Sequence, residues 1–330
     1  MTTHIPSFAP QQVSAINAVG RWLRHDTSSQ QIFRLFGYAG TGKTTIARHV
    51  AGCQDGNIVY TAFTGKAALM MQRNGCEGAC TIHSLIYQPM ERSNGDCEFK
   101  LNLDSVAADA SLIVVDECSM VNAELARDLM SFGRPILVLG DPGQLPPIAG
   151  PGFFTGSQPD AMLTEIHRQA RDNPIIQLAT TVREGVALRL GSHGDSRVLP
   201  EDQLKIENMV AADQTLVGRN ATRQAFNQGI RSALARPHWA PEVGDRLICT
   251  CNDYSKNILN GSLFSITDLL EHDHVKRTIR MRVKSIDFSD RAPFTVNVRQ
   301  EHFTGGLGLL DWKDLRGTQQ IDYGYAQTVH

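Results

Sequence analysis

Residues 31–52 have the sequence QIFRLFGYAGTGKTTIARHVAG, in which a glycine-rich loop stands between two segments of different hydrophobic pattern. The apolar run QIFRLFGY predicts a strand, and TTIARHVAG predicts a helix that ends at its glycine. Between them, the Gly-x4-Gly-Lys-Thr pattern falls on Gly37, Gly42, Lys43 and Thr44. Because a strand precedes this pattern and a helix follows it, the stretch predicts a P-loop in an α/β domain.

The residues of this loop are suited to binding phosphate. Glycines let backbone N–H groups curl around the phosphates, and the N-terminus of the following helix adds its positive dipole end. Lys43 would neutralise β- and γ-phosphate oxygens, and the Thr44 hydroxyl would ligate Mg²⁺. We therefore expect ATP and Mg²⁺ as cofactors. The residues expected to hold the nucleotide are Gly37, Gly40, Thr41, Gly42, Lys43, Thr44 and Thr45.

Two further apolar runs, SLIVVDE (111–117) and PILVLGD (135–141), end in acids. Such runs suit central parallel strands, and the acids then lie at the edge where open α/β sheets bind ligands. Asp116 is expected to hold Mg²⁺, through water, and Glu117 to orient and deprotonate the attacking water. Two adjacent acids taken alone often mark only the solvated end of a strand. A P-loop at this distance favours a catalytic role for them.

The alternation of strand and helix patterns predicts an α/β protein with a parallel sheet. Asn94-Gly95, between two short extended arms, is a strong signal for a β-hairpin. Short β segments near the C-terminus predict a small barrel. The predicted regions are a first α/β domain at 1–160 with the hairpin at 86–104, a second α/β unit at 161–243, a β insert at 244–318, and a return to the second unit at 319–330.

The composition is that of a globular protein, with 330 residues, 42% hydrophobic residues and a formal net charge of −2. This charge neither supports nor excludes a nucleic-acid partner, because a narrow channel needs only local cations. No apolar run approaches the roughly 18 residues that span a bilayer, and MTTHIPSFAP has no secretion-signal pattern. We expect a cytoplasmic location and no membrane partner.

The chain contains seven cysteines, an odd number that favours reduced thiols over a disulfide framework. The spacing of Cys76, Cys80 and His83 also permits a zinc hypothesis, for which Cys97 in the hairpin is the nearby fourth ligand. Reduced, partly buried cysteines are the favoured interpretation.

Five segments occur in the order found in superfamily one helicases, and their sequences resemble those of the 5′→3′ branch, the RecD-like and Dda-like DNA helicases. They are GYAGTGKTT, TAFTGKAA (61–68), TIHSL (81–85), VVDECSM (114–120) and LGDPGQLPP (139–147). LTEIHRQA (163–170), VGRNATR (217–223), LNG (259–261) and DYGYAQTVH (322–330) extend the resemblance. It implies two RecA-like domains, a strand-splitting hairpin and an SH3-like insert. The family pattern continues past TVH, so we expect the chain to be a piece of a longer protein whose second domain is incomplete here.

On the nucleotide side, the resemblance gives roles to three further residues. Gln12 resembles the glutamine that recognises the adenine edge; the alternative is a surface glutamine on an N-terminal helix. Gln144 resembles the sensor that links the γ-phosphate to DNA; the alternative is a polar loop residue. Arg168 matches the arginine that crosses from the second domain to the γ-phosphate, where a guanidinium stabilises spread charge.

On the DNA side, Thr64, Lys66 and His83 resemble the family's contacts with the DNA backbone, and their chemistry suits phosphate. Phe63 is either a base-stacking residue or, preferably, a core aromatic. In the hairpin, Pro89 and Phe99 are candidates for the wedge at the duplex junction; packing of Phe99 against the first domain is the alternative. Thr328 and His330 fall in the motif that contacts DNA from the second domain.

The resemblance implies an ATP-dependent DNA helicase that moves 5′→3′ on single-stranded DNA and unwinds duplexes. Its partners would be single-stranded DNA and duplex junctions, with single-stranded-DNA-binding or nuclease proteins as further partners, and the motor would be monomeric. Two alternatives remain at this point: a motor subunit of a RecD-like nuclease–helicase complex, and an ATP-switched DNA-binding module with weak turnover. A small-molecule kinase would leave GDPGQLPP and HRQ unexplained.

Overall fold

The computed structural model describes residues 8–91, 97–145, 147, 150, 152–165, 173–253, 256, 258–304, 315 and 317–329, with backbone alone for Pro89, Glu91, Cys97 and Glu98. The chain divides into two compact units, Met1–Val198 and Leu199–His330.

The first unit alternates helices and strands, as the hydrophobic pattern predicts. Its helices are α1 (Pro10–His25), α2 (Lys43–Ala51), α3 (Gly65–Arg73), α4 (Ile82–Ile86), α5 (Ala123–Met130) and α6 (Pro174–Arg183). Its strands are β1 (Ile32–Gly37), β2 (Ile58–Ala62), β3 (Cys80–Thr81), β4 (Tyr87–Glu91), β5 (Cys97–Leu101), β6 (Leu112–Asp116), β7 (Ile136–Gly140), β8 (Ala161–Leu163), β9 (Gly191–His193) and β10 (Ser196–Val198).

The central sheet of the first unit is parallel, and within the described residues its strand order is β3-β2-β6-β7-β1-β8. Because the strands run the same way, their C-terminal ends share one edge. The ends of β6, β7 and β1 are neighbours there, so the loop after each of them opens onto the same region.

The sheet is covered on both faces, which explains the continuous apolar runs of its strands. Alternate residues enter different cores: Leu112 and Val114 pack on one face, and Ile113 and Val115 on the other. What we name the first core includes buried residues of α1, α2 and α3, among them Trp22, Ile46 and Met71. The second core includes buried residues of α4 and α5, among them Leu85 and Leu129.

The predicted hairpin is confirmed, since β4 and β5 pair antiparallel from Tyr87↔Leu101 to Glu91↔Cys97. The turn signal Asn94-Gly95 lies outside the described residues.

The second unit combines a parallel strand pair with an antiparallel sheet. Its helices are α7 (Ile206–Ala211), α8 (Asn220–Ala233) and α9 (Glu301–Thr304). Its strands are β11 (Thr215–Val217), β12 (Arg246–Cys249), β13 (Leu263–Asp273), β14 (Thr278–Ser285), β15 (Phe294–Arg299), β16 (Ile321–Tyr323) and β17 (Ala326–Thr328). β11 pairs parallel with β17, and the antiparallel order is β15-β14-β13-β12-β16 over the residues described.

Two boundaries differ from the sequence prediction. We predicted a change of domain between 160 and 161, but β8 pairs with β1, so it extends the first sheet, and the units separate after Val198. We also assigned 319–330 to the second α/β unit, but β16 pairs antiparallel with β12, and only β17 joins β11. Three-residue strands carry too little pattern to reveal which sheet they join.

No helix in the described ranges combines the length and the apolar composition that a membrane crossing requires.

Candidate nucleotide and nucleic-acid site

The P-loop leaves the end of β1 and enters α2 through two glycines in the left-handed region. Gly40 has φ of 77° and Gly42 has φ of 85°, values that residues with a Cβ rarely adopt. Thr41 is buried between them, and its hydroxyl donates to the Tyr38 carbonyl oxygen over 2.8 Å. The loop therefore curls as a phosphate-binding loop must, and the first turn of α2 follows it directly.

The ammonium group of Lys43 lies inside this loop. Its Nζ donates to the carbonyl oxygens of Gly37, at 2.6 Å, and of Tyr38, at 3.1 Å. Burial lowers the pKa of Lys43 from its ordinary value, while Asp141 and Asp116 act in the opposite direction. Its hydrogen-bond partners are neutral carbonyl oxygens, so an anion entering the loop would meet a cation that is already in position.

Thr44 and Asp116 are brought together by the order of the strands. The Thr44 hydroxyl donates to Oδ2 of Asp116 over 2.8 Å, and the Glu117 backbone N–H donates to Oδ1 over 2.9 Å. The two oxygen donors lie beside the P-loop. Oxygen ligands of this kind, few in number, match the way Mg²⁺ is held in nucleotide sites. The residues present therefore fit the predicted metal.

Glu117 has a left-handed backbone, with φ of 53°. A non-glycine residue in this region is uncommon and carries strain, which proteins retain at functional positions. Partial burial of its carboxyl and the charge of Asp116 raise the pKa of Glu117, although the residue as a whole is exposed, and the nearby Gln144 side chain acts in the opposite direction. A carboxyl with a raised pKa accepts a proton from water more readily than an ordinary glutamate.

The loop after β7 supplies the third side of the site. Asp141 is buried, and its Oδ1 accepts the Gly143 N–H over 2.8 Å, which shapes the loop. Gln144 then reaches back to the loop after β6: its Oε1 accepts the Ser119 hydroxyl over 3.1 Å, and its side chain lies close enough to Glu117 to lower the pKa of that carboxyl. The predicted sensor residue thus contacts the predicted catalytic carboxylate, which a merely polar loop residue would not need to do.

Gln12 is buried at 5% exposure, so the alternative of a surface glutamine is wrong. Its Nε2 donates to the Thr41 carbonyl oxygen over 3.0 Å, and its Oε1 accepts the Ala9 N–H over 3.0 Å. The helix periodicity of α1 could not reveal this, because the partner atom belongs to the P-loop. The adenine contact stays a prediction.

The segment predicted to contact DNA lies at the ends of β2 and β3, on the same edge of the sheet. Thr64 caps α3 by accepting the Ala67 N–H over 3.2 Å, and Lys66 occupies the first turn of that helix. His83, in α4, stands beside two aromatic rings, with centroids 6.2 Å from Phe63 and 5.8 Å from Tyr87. Burial lowers the pKa of His83.

Phe63 takes an intermediate position between the two predicted roles. It packs against the second core but is only partly buried, and its ring edge meets His83. Tyr87, at the base of the hairpin, donates its hydroxyl to Asp128 of α5. The three rings therefore form a continuous aromatic row from the end of β2 to the hairpin.

In the hairpin, the backbone of Pro89 lies opposite Phe99. The Phe99 side chain is 63% exposed, so the alternative in which it packs against the first domain is wrong. Thr328 lies on β17 in the second unit and is partly exposed. Arg168 and His330 lie outside the described residues.

The zinc hypothesis meets a geometric difficulty. Cys76 belongs to the first core, whereas Cys80 packs against the second, so the sheet separates these two ligands. Among the side chains that the structure describes, no group of three His, Cys, Asp or Glu residues could hold a metal ion.

Sequence reasoning missed three neighbours of the site: Ser119, Tyr38 and Arg183. Tyr38 lies in GYAGTGKTT and Ser119 in VVDECSM, so their motifs could have indicated that they lie near the site. Arg183 did not, because it comes from the end of α6; its guanidinium carbon lies 3.9 Å from the centroid of the Tyr38 ring.

The AAA domain model AAA_30 matches residues 9–197 of the chain. An ATP-dependent RecD2 DNA helicase of Deinococcus radiodurans is 30% identical over 264 residues, which cover 69% of this chain and 35% of that protein. The uncharacterized protein R530 of Acanthamoeba polyphaga mimivirus is 30% identical over 165 residues, covering 42% of this chain and 33% of that protein. The chain thus spans about a third of the length of these curated relatives.

Solved structures of Pif1 helicases share the fold. A Pif1 helicase from a structure of DNA unwinding at forked double-stranded DNA has a TM-score of 0.60 at 17% identity, covering 98% of this chain and 82% of that chain. Bacteroides Pif1 bound to single-stranded DNA has a TM-score of 0.57 at 18% identity, covering 98% of this chain and 83% of that chain. These structural similarities confirm the predicted α/β fold. The AAA domain match and the RecD2 relative support the resemblance to 5′→3′ superfamily one helicases. The AAA domain model matches residues 9–197, which are more than half of the chain and include the P-loop, so the chain belongs to the AAA-domain family.

Proposed function

We propose that the protein is an ATP-dependent DNA helicase, which couples ATP hydrolysis to 5′→3′ movement on single-stranded DNA and to duplex unwinding. One observation carries this proposal: the Thr44 hydroxyl bonds to Asp116, and Gln144, bonded to Ser119, lies near Glu117, on the sheet edge that also bears the aromatic row.

The P-loop residues would bind ATP. Backbone N–H groups of the loop and of the first turn of α2 would cradle the phosphates, and Lys43 would exchange its carbonyl partners for phosphate oxygens. Thr44 and Asp116 would hold Mg²⁺, which supplies charge neutralisation on the phosphate oxygens. The relative from Deinococcus radiodurans is named as ATP-dependent, and a Bacteroides Pif1 structure contains ADP-AlF3 and single-stranded DNA.

Glu117 would act as the general base. Its raised pKa makes proton acceptance from water favourable, and its strained backbone holds the carboxyl beside the Asp116–Thr44 pair. General-base catalysis of this kind contributes about 10²–10⁴-fold to a rate. Gln144, bonded to Ser119 and close to Glu117, would detect whether the terminal phosphate is present.

Single-stranded DNA would lie along the edge formed by the ends of β2 and β3. Lys66 and the N-termini of α3 and α4 offer phosphate contacts, and the row Phe63, His83 and Tyr87 offers ring faces for bases. The hairpin, with exposed Phe99, would stand at the duplex junction. Opening a base pair costs about 1.4 kcal/mol in stacking, so the energy of one ATP suffices for a short step.

The 5′→3′ direction is supported by the resemblance of the motifs. The test is an unwinding assay on duplexes with a 5′ single-stranded tail, a 3′ tail, or no tail, each with and without ATP. We expect ATP-dependent strand separation of the 5′-tailed duplex above the other two. Preference for the 3′ tail would contradict the direction, and separation without ATP would contradict the motor.

A further inference from the structure

Arg183, the last residue of α6, lies over the P-loop. Its guanidinium carbon is 3.9 Å from the centroid of the Tyr38 ring, within the range of a cation–π contact. Tyr38 is the second residue of the loop GYAGTGKTT, and Lys43 donates to its carbonyl oxygen. The same loop residue therefore has one cation bonded to its backbone and a second cation stacked on its side chain.

Arg183 also lies against the loop after β7. A Cβ added to Gly143 would approach Nε of Arg183 to 3.0 Å, and Cδ and Cγ to 3.2 Å, so this glycine leaves the room that the arginine occupies. Gly143 immediately precedes Gln144, the predicted sensor. Arg183 thus contacts the P-loop and the sensor loop at once, although α6 begins 30 residues after Gln144 on the chain.

The charge of Arg183 is uncompensated within the described part of the chain. No carboxylate there forms a salt bridge with it, and the residue is only partly exposed. A planar guanidinium that stacks one face on a ring keeps its N–H edge free to bind an anion, and bidentate binding of phosphate is its preferred mode.

The position favours the terminal phosphate over the base. Arg183 stands beside Tyr38 and Gly143, near the ammonium of Lys43 and the Gln144 loop, whereas Gln12 contacts the loop at Thr41 from α1. We propose that Arg183 binds the γ-phosphate of ATP and makes the site prefer ATP to ADP. This inference rests on the proposed nucleotide site.

The test measures binding of a non-hydrolysable ATP analogue and of ADP, both with Mg²⁺ and without DNA, by isothermal titration calorimetry. We expect Arg183→Ala to weaken binding of the ATP analogue about tenfold, which is the loss of a charge-assisted hydrogen bond, and ADP binding less than about twofold. Arg183→Lys keeps the charge but not the planar fork, and should recover part of the preference. Arg189→Ala, which removes an exposed arginine shortly after α6, is the matched control and should change neither affinity.

Equal losses for the two nucleotides would overturn the inference, because a structural role or a contact with the base affects both alike. Unchanged affinity of Arg183→Ala for the ATP analogue would also overturn it, while leaving the nucleotide site intact. If the unmodified protein bound neither nucleotide, the proposed function would fail together with the inference.

Discussion

The Thr44 hydroxyl donates a 2.8 Å hydrogen bond to the Asp116 carboxylate, across 72 positions of the chain. The parallel sheet makes this contact possible, because β1 and β6 end at the same edge with only β7 between them. In the proposed enzyme these two oxygens hold Mg²⁺.

Removal of the Thr44 hydroxyl should therefore abolish most of the ATP hydrolysis. We expect Thr44→Val to lower kcat/KM for ATP about 100-fold or more, and Thr44→Ser to retain most of it, because metal stabilisation of phosphate charge amounts to several kcal/mol. Arg48→Lys, which changes an exposed residue of α2 outside the phosphate-binding loop, is the control and should have little effect. Equal losses at both positions would indicate damage to α2 instead of loss of a ligand.

Glu117→Gln should keep nucleotide binding and lose hydrolysis by about 10²–10⁴-fold, since the amide cannot accept the proton. The pH dependence of kcat/KM should reflect the shifted pKa values of Glu117 and Lys43. The pKa of Glu117 is raised, so kcat/KM should fall on acidification at a pH above the ordinary glutamate value, about 4.3. The pKa of Lys43 is lowered, so the alkaline loss should begin below its ordinary value, about 10.4.

The control for this variant is Glu124→Gln, which removes an exposed carboxylate from the first turn of α5. Its pH–rate profile should match that of the unmodified protein. An acid limb that persists unchanged in the residual activity of Glu117→Gln would show that another group is the base.

Phe99→Ala should separate unwinding from hydrolysis. The exposed ring lies on the hairpin, away from the P-loop, so we expect strand separation to fall about fivefold or more while DNA-stimulated ATP hydrolysis stays near normal. Met90→Ala is the matched control, because Met90 is a similarly exposed apolar residue one position from Pro89, on the other face of the pleat. Parallel loss of hydrolysis and unwinding in Phe99→Ala would argue against a wedge.

The second unit depends on a buried ionic centre. Asp245 is fully buried and accepts hydrogen bonds from Arg231, Arg236 and Tyr325. Asp245→Ala leaves the Arg231 guanidinium buried without its partner, so we expect a loss of about 3–5 kcal/mol in the free energy of unfolding. Asp268→Ala breaks a half-exposed pair with Arg282 and should cost less than about 1 kcal/mol. Chemical denaturation measures the free energy of unfolding of both variants. Similar losses would contradict the role of Asp245 as a buried ionic centre.

The sequence predicted the first sheet and its site well because long-range pairing follows there from local pattern. Continuous apolar runs that end in acids suit central parallel strands, and the C-terminal ends of such strands share one edge of the sheet; the contact of Asp116 with Thr44 follows from this arrangement. The pairing of β4 with β5 was predictable because two short extended arms stand close together on the chain, on either side of a turn signal.

Other features depend on contacts that no local pattern encodes. Strand β8 has three residues and an ordinary composition, so its pairing with β1 could not be anticipated, and the domain boundary was misplaced. The burial of Gln12 depends on the P-loop carbonyl of Thr41, and the position of Arg183 depends on how α6 packs. Exposure of Phe99 is likewise a property of the folded hairpin, because an aromatic side chain fits a core equally well by composition.

The central claim, that ATP hydrolysis at Lys43 drives movement on DNA, is tested most directly by the steady-state rate of ATP hydrolysis with and without single-stranded DNA. We predict that single-stranded DNA stimulates the unmodified protein and Lys205→Ala, a surface lysine variant, equally, and that Lys43→Ala shows no stimulated hydrolysis. A rate that ignores DNA, or DNA-stimulated hydrolysis that persists in Lys43→Ala, would contradict the account.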